Sequence, residues 1–205
     1  MKLSKPPAIS LSSKIAELSK LNILSLVLVA TFLGFYLGSN GEMEYNKLLL
    51  TLLGTALTAA GSGSLNHYLE RDADKKMDRT RNRPLPSGTL TPLFAVLYGM
   101  ALVVIGSVTL AYFVNLLTGF LSLLTAFLYI VVYTPLKKIT WLNTSIGSIP
   151  GAIPIIGGWT AASNSISPMA LVLFGIMYLW QHLTFMLLLG FARMTTLKLI
   201  LKCCL

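Results

Sequence analysis

About six apolar stretches run through this chain of 205 residues: 22–39, 46–65, 93–112, 114–133, 144–161 and 167–190. Each is close to the ~20 residues a helix needs to cross a bilayer. The chain is 55% hydrophobic and only 11% charged, whereas a soluble domain is nearer a quarter charged. The expected fold class is therefore all-α, a polytopic transmembrane helix bundle forming a single membrane domain over 1–205. This composition excludes a disordered chain, a nucleic-acid module and an ordinary cytosolic enzyme. The fifth stretch is interrupted by Pro150 and Pro154 and by Gly147, Gly151, Gly157 and Gly158. Such a span is tolerated where protein or a cavity covers the freed backbone groups, so it is expected to line a site rather than face lipid.

The net charge of +9 is a topology signal. Lys2, Lys5, Lys14 and Lys20 precede the first span. Arg71, Lys75, Lys76, Arg79, Arg81 and Arg83 lie between the second and third, Lys137 and Lys138 between the fourth and fifth, and Arg193, Lys198 and Lys202 after the sixth. Lys47 alone falls on the other side. The positive-inside rule puts a basic N-terminus (1–21), the 66–92 loop and the C-terminus in the cytoplasm. The partner of the surface is thus the lipid bilayer and not nucleic acid. The N-terminus shows neither a cleavage site nor the arginine richness of a transit peptide, so the expected location is an inner membrane of bacterial type. Cys203 and Cys204, adjacent at the chain's end, imply neither a disulfide framework nor a metal knuckle.

Chemistry concentrates after the second span. Four of seven acidic residues, Glu70, Asp72, Asp74 and Asp78, fall within nine positions. Asn66, Glu70, Asp74 and Asp78 are spaced by four. On a helix continuing out of the membrane each step of four drifts only about 40°, so neighbours share a face. Three acids on one face repel one another unless a divalent cation sits there. Mg²⁺ takes one or two carboxylates plus phosphate oxygens. Arg79, Arg81 and Arg83 follow at once and are candidates to clamp the same phosphates bidentately. Tyr133, Lys137 and Lys138, at the cytoplasmic end of the fourth span, lie at the same membrane level. The plain alternatives are a soluble juxtamembrane loop of mixed charge, an interfacial aromatic and a topology anchor.

The run N-H-Y-L-E-R-D-A-D-K-K-M-D-R-T-R-N-R-P-L-P-S-G, Asn66 to Gly88, resembles the first aspartate-rich motif of the UbiA-type intramembrane prenyltransferases. Its R-T-R-N-R-P-L tail is similar to the branch that farnesylates heme, the protoheme IX farnesyltransferases (heme O synthases). Y-T-P-L-K-K, the run from Asn143 to Trp159, and Y-L-W-Q from Tyr178 to Gln181 resemble that branch's next signatures. The resemblance covers about residues 20–181. It implies transfer of a farnesyl group from farnesyl diphosphate to a vinyl group of heme b, with Mg²⁺ as cofactor. Asn66, Glu70 and Asp74 fall on the metal–diphosphate motif; Asp78, a further candidate metal ligand, is one by its spacing alone. Glu70 stands where aspartate is usual. Tyr133 and one of Lys137 and Lys138 correspond to diphosphate contacts. Tyr129 and Trp159 are candidates to line the cavity in which an allylic cation forms. Loop Arg and Lys residues are expected to meet the heme propionates.

The sequence departs from that pattern after Gln181. The family has about nine spans and a second acidic motif, and little or no turnover is expected of the chain as written. Back-translating residues 182–205 in a shifted frame yields a run resembling the family's third signature. The expectation is a one-base deletion after the Gln181 codon, which makes His182, Cys203 and Cys204 accidental. Prenylation of a quinone precursor such as 4-hydroxybenzoate is the alternative within enzymes. A non-catalytic membrane remnant or a small carrier with a broken helix is the alternative outside them.

Overall fold

The structure, a computed structural model, describes residues 11–137 and 142–203, with the side chains of 14–137 and 142–187. In chain order the helices are α1 (Leu11–Leu18), α2 (Leu21–Gly38), α3 (Tyr45–Asp74), α4 (Pro92–Phe113), α5 (Leu116–Phe127), α6 (Thr134–Leu136), α7 (Asn143–Ser163) and α8 (Pro168–Cys203). A π-helical turn, Leu128–Tyr133, joins α5 to α6 without a break.

Local sequence explains where these elements begin and end. Thr91 caps α4 by accepting from the Phe94 amide, and Pro92 fills the first helical position, where a missing N–H costs nothing. Asn115 caps α5 by accepting from the Thr118 amide at 2.7 Å. Asn164 closes α7 in the left-handed region at φ 56°, which Asn tolerates better than most residues. Pro150 and Pro154 lie inside α7, yet the helix runs unbroken from Asn143 to Ser163. The sequence reading of an interrupted span is corrected on that point. Helices packed around α7 cover the backbone that the prolines leave without donors, as a bilayer interior requires.

Among the described residues five segments are long and apolar enough to cross a membrane: Leu21–Gly38, Tyr45–Asp74, Pro92–Phe113, Leu116–Leu136 and Pro168–Leu187. The remaining long helix, α7, is less apolar because it is the inner one. Ser148, Ala152, Ile153, Ile155, Ile156, Gly158, Trp159 and Thr160 are among its buried residues, whereas Leu26, Leu97, Leu116 and Leu183 on the outer helices are exposed. Polar residues turn inward instead. Thr31, Thr51, Thr58 and Ser62 are buried, and each hydroxyl bonds back to the carbonyl four residues earlier. Apolar outside and small or polar inside is the distribution that packing in lipid favours.

Small residues set the helix spacing. Gly61 lies against the Gly99 backbone between α3 and α4, and Gly34 and Gly158 bring α2 and α7 into backbone contact. The bundle therefore has two distinct ends. At one, the α1–α2 junction, the ends of α3 and α6 and the starts of α4 and α7 gather. Here Ser64 Oγ donates to the Ala95 carbonyl at 2.9 Å, and the Tyr133 ring rests on Gly147. At the other end, Asn115 Nδ2 donates to the Thr160 carbonyl (2.8 Å) and to Asn164 Oδ1 (2.9 Å). Trp159 packs there against Gly38.

Candidate functional site

The last three turns of α3 carry Asn66, Glu70 and Asp74, which are 1%, 8% and 5% exposed. Three polar groups this deep at a helix end need partners, since an unpaired buried charge is expensive. Each acquires a cation from a different element. Lys20, at the α1–α2 junction, donates to Asn66 Oδ1. Lys137, just past α6, donates to Glu70 Oε1 at 2.9 Å. Arg83, in the turns after α3, donates to Asp74 Oδ2 at 2.9 Å. Two carboxylates thus face three cations, a local excess of positive charge beside a wall of acceptors.

Each cation arrives for a local reason. Lys20 sits at φ 49°, a left-handed turn that lets α1 fold back along α3. Leu18 is fully buried there, and Gly63 lies close to the Leu18 carbonyl. Burial pushes the Lys20 ammonium below its ordinary value of 10.5; Glu70 pulls it back up, and Lys137 and Arg83 lower it further. Arg83 is selected by the chain's turn after α3. Thr80 Oγ1 donates to the Asp74 carbonyl at 2.9 Å, winding the loop so that Arg83 returns to the helix end. Lys137 is delivered by the π-turn. That turn places Thr134 Oγ1 within 2.8 Å of the Tyr129 carbonyl and in contact with Asn66 Nδ2 at 3.0 Å.

The structure brings together Asn66, Glu70, Asp74, Arg83 and Lys137 from the sequence-derived set. Tyr133 stands close by, stacked on Tyr129 with ring centroids 5.7 Å apart. Asp78, Arg79 and Arg81 are not brought in. The α3 helix ends at Asp74, so Asp78 leaves the shared face. Its side chain is 95% exposed and pairs with Arg81 at 3.2 Å, while Arg79 points to solvent. Trp159 belongs to the far end of the bundle, away from this cluster. Lys138 lies outside the described residues. Two residues escaped the sequence reading. Lys20 reads as a topology anchor, and Thr134 gives no signal beyond its place before Pro135.

The donor set suits one kind of cation. Asn66, Glu70 and Asp74 offer hard oxygen ligands on successive turns. Among the described residues no group of three or more His, Cys, Asp or Glu side chains converges to enclose a metal. An ion that takes one or two carboxylates and completes its shell from phosphate oxygens fits this, as Mg²⁺ does. The flanking Lys20, Arg83 and Lys137 fit the phosphate.

Residues 27–194 match the UbiA prenyltransferase family. Over 165 residues the chain is 44% identical to a protoheme IX farnesyltransferase of Aquifex aeolicus, a match covering 80% of this chain and 56% of that protein. It is 43% identical over 167 residues to the mitochondrial protoheme IX farnesyltransferase of Homo sapiens, covering 82% and 38%. The chain thus spans about half the length of the curated relatives it matches. A solved structure described as a UbiA homolog from Archaeoglobus fulgidus bound to GPP and Mg2+ superposes with a TM-score of 0.67. It is 20% identical and covers 84% of this chain and 61% of that one, which establishes a shared fold.

Proposed function

The chain belongs to the UbiA prenyltransferase family, and from that premise we propose that it works in the transfer of a farnesyl group from farnesyl diphosphate to a vinyl group of heme b, giving heme O. It is an integral membrane protein. The observation that carries the reading is the convergence of Asn66, Glu70 and Asp74 with Lys20, Arg83 and Lys137 at one end of the bundle. The names of the relatives favour heme over a quinone precursor as acceptor.

Glu70 and Asp74 would hold Mg²⁺, and the Asn66 amide oxygen would orient or ligate it. The bound ion supplies charge neutralisation of the departing diphosphate. Lys20, Arg83 and Lys137 take the phosphate oxygens by charge-assisted hydrogen bonds. The C1–O bond of the farnesyl group breaks with its electron pair leaving on the diphosphate, and the terminal vinyl carbon of heme b bonds to C1. The cation left on the inner vinyl carbon takes the oxygen of a water molecule, whose proton is released, to give the hydroxylated side chain of heme O. Tyr129 and Tyr133, stacked at the inner edge of the site, present aromatic faces suited to allylic cation character. The packed helices above them restrict water, so that the allylic cation meets the vinyl group before it meets solvent. Both termini and the site are placed in the cytoplasm of a bacterial-type cell, with the inner membrane as host. The gathering of Arg71, Lys75, Lys76, Arg79, Arg81 and Arg83 at the site end, with Lys47 at the opposite end of α3, supports this orientation.

Binding of labelled farnesyl diphosphate to the chain in nanodiscs, with and without EDTA, tests the metal, and heme analysis after addition of heme b tests the acceptor. Chelation is expected to remove most of the binding and Mg²⁺ to restore it. Binding indifferent to EDTA overturns the metal assignment. Conversion of 4-hydroxybenzoate but not heme b overturns the acceptor.

Lys20 offers a separate prediction. Lys20→Met is expected to weaken farnesyl diphosphate binding about tenfold, the scale of one charge-assisted contact, without weakening the fold. The buried ammonium is itself a cost. Its folded pKa lies below the unfolded 10.5. The unfolded chain therefore binds more protons between those values, and stability rises with pH through that window. Lys20→Met should abolish this alkaline gain, which thermal melts at increasing pH would show.

A further inference from the structure

An amide side chain presents an acceptor and a donor from the same carbon, so its neighbours decide which way it faces. At Asn66 two neighbours agree, and a third group fixes the second of them. Lys20 carries only donors, so the atom it meets must be Oδ1. The opposite atom, Nδ2, then donates to Thr134 Oγ1 at 3.0 Å. Thr134 has one hydroxyl proton, and it goes to the Tyr129 carbonyl at 2.8 Å, five residues back across the π-turn. Toward Asn66 that hydroxyl can therefore only accept. Asn66 and Thr134 are 1% exposed, so water does not compete for these bonds.

From this relay we infer that Thr134 is a positioning residue. It fixes the Asn66 amide with its oxygen turned toward the cations and the Glu70 side of the site. The inference rests on the reading of the site as a metal–diphosphate centre, which it deepens. A freely flipping amide would present N–H groups to a metal ion half the time, whereas the locked one presents only oxygen. The π-turn gains a purpose from the same argument. An ordinary α-helical register would offer the Thr134 hydroxyl the carbonyl three or four residues back; here it donates to Tyr129, five residues back, in the orientation in which its oxygen meets Asn66. Thr134 touches neither diphosphate nor acceptor in this account and acts entirely through Asn66.

The test uses the full chain in nanodiscs with ¹⁵N-labelled asparagine, the Asn66 side-chain resonance pair being identified by its loss in Asn66→Ala. The parent and Thr134→Ser are expected to show an Asn66 amide protected from solvent exchange. Thr134→Val, which keeps the volume and removes the hydroxyl, should speed that exchange at least tenfold. Manganese EPR with farnesyl diphosphate should show about tenfold weaker binding in Thr134→Val and near-parent binding in Thr134→Ser. If Thr134 serves only to hold the π-turn, Thr134→Val lowers the melting temperature but leaves Asn66 exchange and Mn²⁺–diphosphate affinity unchanged, and the inference is overturned. If the exchange pattern appears as expected but the parent retains no Mn²⁺–diphosphate, the positioning role stands and the metal–diphosphate reading of the site fails.

Discussion

In the chain extended to the full length of the relatives it matches, Glu70→Gln is expected to lower kcat/KM for farnesyl transfer by roughly 10²–10³-fold, the scale seen when one preorganised electrostatic contact to a departing group is removed, while the bundle stays folded. The two halves of this expectation come from different ends of one ion pair. Glu70 is buried, but the Lys137 side chain that pairs with it is 47% exposed. Removing the carboxylate leaves Lys137 free to move into water, so the usual cost of stranding a buried charge does not arise. Gln keeps the volume and can still accept from Lys137. What disappears is the negative charge that holds the metal. Asp74→Asn should behave alike in activity but cost more in stability, because its partner Arg83 is only 23% exposed. The double variant is expected to lose little more than either single one, as groups acting as a unit are not additive. Asp78→Asn supplies the contrast. A side chain 95% exposed and four residues beyond the helix end should change activity by less than about twofold. Heme O formation in membranes, read beside thermal melts, measures all four. Activity retained in Glu70→Gln with a normal melt would remove the metal site from the mechanism.

That contrast between Asp74 and Asp78 marks where the sequence stops being legible. The spacing of four at Asn66, Glu70 and Asp74 is a helix-surface property, and it survives because α3 continues to Asp74. The same spacing at Asp78 means nothing once the chain leaves the helix. The loop hydrogen bond that ends the pattern, Thr80 to the Asp74 carbonyl, has no periodic signature. It is also what separates Arg83 from Arg79 and Arg81, which are equivalent in sequence but not in space. Lys20 was hidden for another reason. A lysine before an apolar run is what topology demands anyway, and its contact with Asn66 spans 46 residues. Only the left-handed turn at Lys20 makes that contact, and a lysine at φ 49° is not something a sequence announces. The inner helix was half legible. Its prolines and glycines mark a span shielded from lipid, as the burial of α7 shows, but they do not reveal that it stays continuous. Continuity depends on neighbours covering the backbone, which is a property of the assembled bundle.

The inner helix also carries the second large effect. Gly34→Leu or Gly158→Leu is expected to destabilise the fold by about 3 kcal/mol or more, the upper range for overpacking. A Cβ on Gly34 would lie 2.0 Å from the Ile155 carbonyl oxygen, and one on Gly158 would lie 2.0 Å from that of Thr31. Those are backbone atoms, and no rotamer can relieve the clash; α2 and α7 must separate. In lipid there is little hydrophobic drive to bring them back, since helix association there depends on close packing itself. Even Gly→Ala at either position should be costly, and the two together less than additive because they spoil one interface. Gly157 is the internal control. It is one residue from Gly158 on the same helix, yet a Cβ there would meet nothing within 4 Å, so Gly157→Ala should be neutral or stabilise by up to ~1 kcal/mol through helix propensity. The site should report the damage as well. The start of α7 supports Tyr133 through Gly147, and displacement of α7 removes that support from the turn bearing Thr134 and Lys137. Gly158→Leu is therefore expected to lose farnesyl diphosphate binding below its own melting temperature, and Gly157→Ala to keep it. Equal melts for the two variants would mean that α2 and α7 are not held by glycine contact.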